Sequence, residues 1–246
     1  MNLLLLDPSE VATDGSVSLT QAHAEHVRKV LKLGTGQTVR VGMVDGAMGV
    51  GTITTIADRH VELACAFDPA PPARPRVDLL LALPRPKVMR RLWAPLATLG
   101  VGQVILTNAE KVERDYFDSH VLQPEGYRPL LIEGLQQARD THMPIVSIHK
   151  RFKVLVEDHL DALCPSVRRL VAHPGSDTRV ATALADVTPS DRVLLATGPE
   201  GGWNDFELSL LETHGFARVG IGPRILTTTT ACVALLTLVH EALRRG

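Results

Sequence analysis

Three glycine-bearing or polar stretches hold the residues whose types and spacing suit chemistry. In the first, the apolar segment Leu194-Leu195-Ala196-Thr197 runs straight into Gly198-Pro199-Glu200-Gly201-Gly202-Trp203. Glycine permits positive φ and lets backbone N–H groups come close to a bound molecule. At the carboxyl edge of a parallel sheet, such a loop is where α/β proteins hold cofactors. The order of residues is neither G-x-G-x-x-G nor a Walker loop with its Lys and Ser/Thr, which disfavours NAD and ATP. The second stretch, Val219-Gly220-Ile221-Gly222-Pro223-Arg224-Ile225-Leu226-Thr227, again places glycines after an apolar segment and before a helical one. Two such loops can close on one ligand. The third, Glu133-Gly134-Leu135-Gln136-Gln137-Ala138-Arg139-Asp140 with Met143-Pro144, puts Gln and Arg at the end of a helix. There they can read a base edge or clamp a phosphate. Each stretch also has a plainer reading: a tight turn, a threonine-capped helix start, and an amphipathic surface helix stopped by proline.

The elements that position these residues follow from the patterning. Four prolines in the run Pro69 to Pro75 forbid both helix and central strand, and they mark a boundary. Upstream, Leu3 to Leu6, Thr38 to Val44, Gly49 to Ala57 and His60 to Phe67 read as strands, with a short helix over Gln21 to Leu31. Asp45-Gly46 signals a hairpin turn. A small β-rich barrel is the expected assembly. Downstream, Val77 to Leu83, Val101 to Thr107, Val167 to Ala172 and Arg192 to Thr197 read as buried parallel strands alternating with helices. Val88, Leu92, Leu96 and Leu99 share one helical face, and Pro95 predicts a kink or a late start. Asn204 with Glu207 predicts a capping box opening a helix that ends near His214-Gly215. Thr230 to Arg244 reads as a final apolar helix.

Composition narrows the function classes. The chain has 246 residues, 45% of them apolar and 22% charged, the balance of a globular enzyme rather than of a disordered or fibrous protein. Met1 to Asp7 carries only four leucines and no basic segment before them, so it reads as a strand, not a signal peptide, and the expected compartment is the cytoplasm. Cys65, Cys164 and Cys232 stand far apart, and the ten histidines form no HxxxH or HExxH pattern, so no metal is expected. The net charge is −1, yet basic residues cluster. Arg74, Arg76, Arg85, Lys87, Arg90 and Arg91 face a single acid, Asp78; Arg28, Lys29 and Lys32 form a second group, and His149, Lys150, Arg151 and Lys153 a third. Such clusters can track phosphates, although a solvated face accounts for them as well.

The motifs together resemble the RsmE family of 16S ribosomal RNA uridine-N3 methyltransferases, in the SPOUT superfamily. The matching pieces are His26-Val27-Arg28-Lys29-Val30-Leu31-Lys32-Leu33 with Gly36 and Asp45-Gly46, then Glu113-Arg114, then Glu133 to Arg139 with Pro144. Gly198-Pro199-Glu200-Gly201-Gly202 with Glu207, and Ile221-Gly222-Pro223-Arg224-Ile225-Leu226, complete them. They span nearly the whole chain in order, and the last two together are specific.

The resemblance implies an α/β fold of two domains. Residues 1–72 would form a PUA-like RNA-binding barrel. Residues 73–246 would form a SPOUT domain with a mostly parallel sheet and a trefoil knot within roughly 167–246. It also implies S-adenosylmethionine as cofactor, 16S RNA of the small subunit as partner, and a homodimer. Ala196, Thr197, Gly198, Pro199, Glu200, Gly201 and Gly202, with Ile221, Gly222, Pro223, Ile225, Leu226 and Thr227, would hold the cofactor. Glu200 would either cap the following helix or face the cofactor's positive groups, capping being preferred. Arg139, then Arg114 or Arg224, would stabilise charge on the base. Arg28, Lys29, Lys32, Arg85, Lys87, Arg90, Arg91 and Gln137 would touch RNA. The chain departs from the family where Thr227 and Thr229 replace a usual Arg and Glu, and where Thr98-Leu99-Gly100 replaces Glu-Leu-Gly. Three rivals stand beside this reading: a non-catalytic RNA-binding assembly factor, a related methyltransferase acting on transfer RNA, and, weakest, a nicotinamide-dependent oxidoreductase.

Overall fold

The computed structural model describes residues 3–30, 32–57, 60–165 and 167–244. Two compact units emerge: Met1–Arg74 with Ile132–Met143, and Pro75–Leu131 with Pro144–Gly246. The chain therefore parts at the end of the proline run, and a later stretch of twelve residues returns to the first unit.

The first unit holds strands β1 (Leu4–Leu6), β2 (Ser16–Thr20), β3 (Thr38–Met43), β4 (Met48–Ala57) and β5 (His60–Phe67). They pair in the order β1-β3-β4-β5-β2, with β1 parallel to β3 and every other pair antiparallel. Alternating side chains turn one face inward, where Leu4, Leu6, Leu19, Val39, Val41, Ile53, Val61 and Leu63 form a single core. A register shift between Ile53 and Thr55 bends the longest strand, as bulges do. Asp45 sits at φ 56° in the β3–β4 turn, the left-handed geometry a tight hairpin demands. The expected helix forms in two parts. Helix α1 covers Gln21–Glu25, and a π-helical turn follows over His26–Val30; Leu31, expected to end it, lies outside the described residues. Hydrogen bonds pin the returning stretch, and Leu3 N–H donates to the Gln136 carbonyl at 3.1 Å. Asp45 N–H donates to the Thr141 carbonyl (2.8 Å), the Thr141 hydroxyl to the Gly46 carbonyl (2.7 Å), and Met143 N–H to the Asp45 carboxylate (3.0 Å).

The second unit is a parallel sheet of six strands in the order β11-β9-β10-β6-β7-β8. These are β6 (Val77–Ala82), β7 (Val101–Thr107), β8 (Ile145–His149), β9 (Val167–Ala172), β10 (Arg192–Thr197) and β11 (Phe216–Val219). All six residues of β6 are buried, as a central strand covered on both faces requires. Helix α2 (Pro86–Thr98) comes first; α3 (Pro124–Ala138) starts in this unit and its residues from Ile132 on belong to the first; the short α4 (Phe152–Val154), α5 (Leu160–Leu163) and α6 (Val180–Ala183) follow. Helices α7 (Asp205–Thr213) and α8 (Thr228–Leu243) close the unit. Of the two outcomes that Pro95 predicts for α2, the late start does not occur: proline suits the first helical position, where no partner is lost, so α2 begins at Pro86, and it runs on through Pro95. Its buried stripe is Met89, Leu92, Trp93 and Leu96, while Val88 and Leu99 are only half-buried. At the amino end of the sheet Arg192, the first residue of β10, grips both carboxylate oxygens of buried Asp78 at 2.8 Å. Burial pushes that carboxyl above the usual carboxylate range, and the Arg192 hydrogen bonds and charge only partly offset it.

Candidate functional site: a cavity at the carboxyl edge of the sheet

Strands β11, β9 and β10 are neighbours, so their carboxyl ends lie side by side and the loops that follow them meet. A cavity of about 330 Å³ opens there, within the range that takes a cofactor-sized molecule. Ala172, His173 and Pro174 line it after β9, Thr197 to Trp203 after β10, and Val219 to Gly222 with Arg224, Ile225 and Leu226 after β11. Thr228, Ala231 and Leu235 from the first turns of α8 complete the wall.

The loops hold their shapes by backbone hydrogen bonds that glycine makes possible. Gly202 N–H donates to the Pro199 carbonyl at 2.8 Å, and Gly202 sits at φ 70°. After β11, Gly220 passes so close to Ser176 that a Cβ would collide with its carbonyl oxygen. His173 N–H donates to the Val219 carbonyl and Gly220 N–H to the Thr178 carbonyl, both at 2.9 Å. These bonds fasten the β9 loop to the β11 loop. Gly222, at φ 120°, occupies backbone space that side-chain-bearing residues rarely enter.

Two polar features give the cavity its chemistry. Trp203 is buried, and its indole N–H has no partner among the described residues, leaving a donor at the wall. Glu200 brings a carboxylate to the same wall. Contrary to the expectation of a helix cap, Glu200 is not the residue that caps α7. That place is taken by Asn204 and Glu207, which form the cap reciprocally, each at 2.8 Å. Glu200 instead accepts the backbone N–H of Arg85, at the mouth of α2, at 3.1 Å. Lys111 steadies the loop from outside by donating to the Gly201 carbonyl at 2.7 Å.

Ten of the thirteen residues expected to hold a cofactor line this cavity; Ala196, Pro223 and Thr227 do not. Ala196 is fully buried inside β10, Pro223 is exposed, and Thr227 is the N-cap of α8, its hydroxyl accepting Thr230 N–H at 3.4 Å. Of the three arginines only Arg224 lines the cavity. Arg114 lines a second cleft of the same unit, and Arg139 belongs to the first unit, at φ 58° just past α3. Arg85, Lys87, Arg90 and Arg91 are all exposed on or beside α2. Arg28, Lys29, Lys32 and Gln137 belong to the first unit, where Lys29 pairs with Glu25.

Sequence reasoning missed Ala172-His173-Pro174 and Trp203. The signal for the former was present: an apolar strand followed by Pro174-Gly175, the same pattern that marked the other two loops. The thiols are all free. Burial pushes Cys232 up to about 12 and both Cys65 and Cys164 up to about 11, which keeps them protonated and unreactive at neutral pH.

Comparison with known proteins agrees with the geometry. The ribosomal RNA small subunit methyltransferase E of Treponema pallidum is 27% identical to this chain, over 97% of it and 90% of that protein. The crystal structure of a protein of the same name from Neisseria gonorrhoeae, bound to S-adenosyl methionine, superposes with a TM-score of 0.77 at 19% identity, covering 98% of this chain and 97% of that one. A probable rRNA-methyltransferase from Porphyromonas gingivalis gives 0.76 at 20% identity, covering 100% and 99%. These likenesses show the fold, a SPOUT-type α/β domain preceded by a small PUA-like β domain. A family model described as an RNA methyltransferase domain matches residues 71–240, and the chain belongs to that family.

Proposed function

We propose that this chain transfers the methyl group of S-adenosylmethionine to N3 of a uridine in the 16S RNA of the small ribosomal subunit. The observation that carries the reading is the glycine-shaped cavity at the carboxyl edge of three neighbouring parallel strands. The chain's membership of an RNA methyltransferase family, and its likeness along nearly its whole length to proteins named for small-subunit methylation, support it.

The lining fits the cofactor. Exposed backbone of the β10 and β11 loops suits adenine and ribose, the partnerless Trp203 N–H suits an acceptor, and Glu200 sets negative charge on the wall. Bound there, the sulfonium would supply an electrophilic methyl group. Everything else falls to the protein. Uracil N3–H is a weak acid, so the nitrogen becomes nucleophilic only as its proton leaves, and the charge that spreads to O2 and O4 needs donors already in place. Arg139 is the first candidate for that task, and Arg114 and Arg224 the second. The basic face of α2 suits RNA phosphates. Exposed Val233 and Leu238 on α8 suit a homodimer contact.

Methyl transfer from labelled S-adenosylmethionine to undermodified small subunits, with naked 16S RNA and transfer RNA alongside, tests the reading. Label recovered as 3-methyluridine from the subunits is the expected result. RNA binding without transfer to any substrate would replace it with the assembly-factor reading, and label in transfer RNA alone would change the substrate.

A further inference from the structure

The second unit holds another cleft, of about 320 Å³, beside the cavity already described. It opens where β7 ends, at Asn108, and is lined further by Glu110, Arg114, Phe152, Lys153 and Phe206. Phe152 stacks on Trp203 with ring centroids 5.3 Å apart. Trp203 lines the first cavity and Phe152 the second, so this aromatic pair is the partition between them.

Three features of the cleft are unexplained by the fold. The side-chain oxygen of Asn108 is buried and has no hydrogen-bond partner among the described residues. A buried acceptor left so costs stability unless a ligand or water completes it. Phe206 is 58% exposed at the start of α7, an aromatic face offered to the cleft rather than to the core. Arg114 is exposed and has no ion-pair partner among the described residues, while exposed Lys153 makes only a loose 3.8 Å pair with Glu157. Two acids also line the cleft. Glu207 is buried with its two oxygens taken by the N–H groups of Glu110 and Asn204, at 2.7 and 2.8 Å, and Glu110 lies exposed.

An aromatic face, an amide oxygen and two cations are the groups that recognise one unpaired nucleotide, through its base plane, its N–H edge and its phosphate. We infer that this cleft seats a nucleotide of the RNA substrate next to the one that reacts, on the far side of the Phe152–Trp203 partition from the methyl donor. The inference rests on the RNA methyltransferase reading and adds to it a site for the flanking nucleotide. The basic run from His149 to Lys153, which the donor cavity leaves unused, leads into this cleft.

Phe206→Ala and Lys153→Glu test it, both at exposed positions that leave the fold intact. Affinity for unmethylated 16S RNA would be measured by filter binding across a salt series, and affinity for S-adenosylmethionine by calorimetry. Phe206→Ala is expected to weaken RNA binding about tenfold, the scale of one lost base–aromatic stack, with donor affinity unchanged. Lys153→Glu is expected to lower the slope of log K against log salt by roughly one phosphate's share. RNA affinity and salt slope equal to the parent in both variants would overturn the inference. So would altered sedimentation mass with unaltered RNA affinity, which would make the cleft a contact between copies of the chain. A parent protein that binds RNA through this cleft yet transfers no methyl group would instead defeat the proposed function and leave the cleft standing.

Discussion

Arg139 holds a backbone conformation that costs it energy. It sits at φ 58° immediately after α3, and Asp140 N–H reaches back to the Leu135 carbonyl at 3.1 Å, the closing bond of a left-handed helix end. Glycine is the usual occupant, and a side chain there costs about 1–2 kcal/mol. The proposed function gives the guanidinium of this exposed residue a use that packing does not. Arg139→Gly should therefore keep or raise the melting temperature while lowering turnover at least ~10²-fold, the scale of one lost electrostatic donor. Turnover at the parent level in that variant would remove Arg139 from the mechanism. Gly222 presents the opposite case. At φ 120° it admits no branched side chain without strain, and it lines the cavity at the carboxyl edge of the sheet. Gly222→Val should abolish measurable S-adenosylmethionine binding by calorimetry while circular dichroism stays native. Unchanged affinity would make the loop a mere connection.

At the scale of elements, α8 matters most because its first turns are also cavity wall. Thr227 caps it, and the first turn carries no acidic residue. Removing the cap with Thr227→Ala should cost about 1 kcal/mol, read as a lower urea midpoint with an unchanged m-value. An unchanged midpoint would mean that water caps the helix as well as the hydroxyl does. How far such elements are legible in sequence depends on their burial. Strands β6 and β10 read plainly because each carries an unbroken apolar run, Leu79 to Ala82 and Val193 to Ala196, and the capping box at Asn204 read plainly because it is local. Strand β2, Ser16–Thr20, and edge strand β8, half-exposed with Ser147 and His149, lack that signal and were not foreseen. Both glycine loops of the site were legible for the same local reason. The tie from Glu200 to Arg85 was not, because it joins positions 115 residues apart, and a single sequence holds no trace of such a distance.

For the whole molecule, the packing of α8 makes stability depend on pH. Burial lowers the affinity of His240 for a proton; a backbone hydrogen bond at Leu99 opposes this, and the charge of Arg76 adds to it. The folded-state value lies below 6.5, so the folded protein holds this imidazole neutral where the unfolded chain would already take up a proton. Stability from this group is complete above pH 6.5 and is lost as pH falls through the depressed value. The melting temperature should drop on acidification from pH 7 to 5, and His240→Phe should flatten part of that drop. An identical profile in the variant would place the sensitivity elsewhere.

The Asp78–Arg192 clasp sits at the amino end of β6 and β10, and the glycine-lined cavity at the carboxyl end of β10. A parallel sheet has a direction, and in this one the direction sorts residues by task. One rim anchors, and the other recognises. Replacements among the carboxyl-end loops can retune what the protein binds while the anchor stays untouched, and damage to the anchor should surface as lost yield long before it surfaces as altered selectivity.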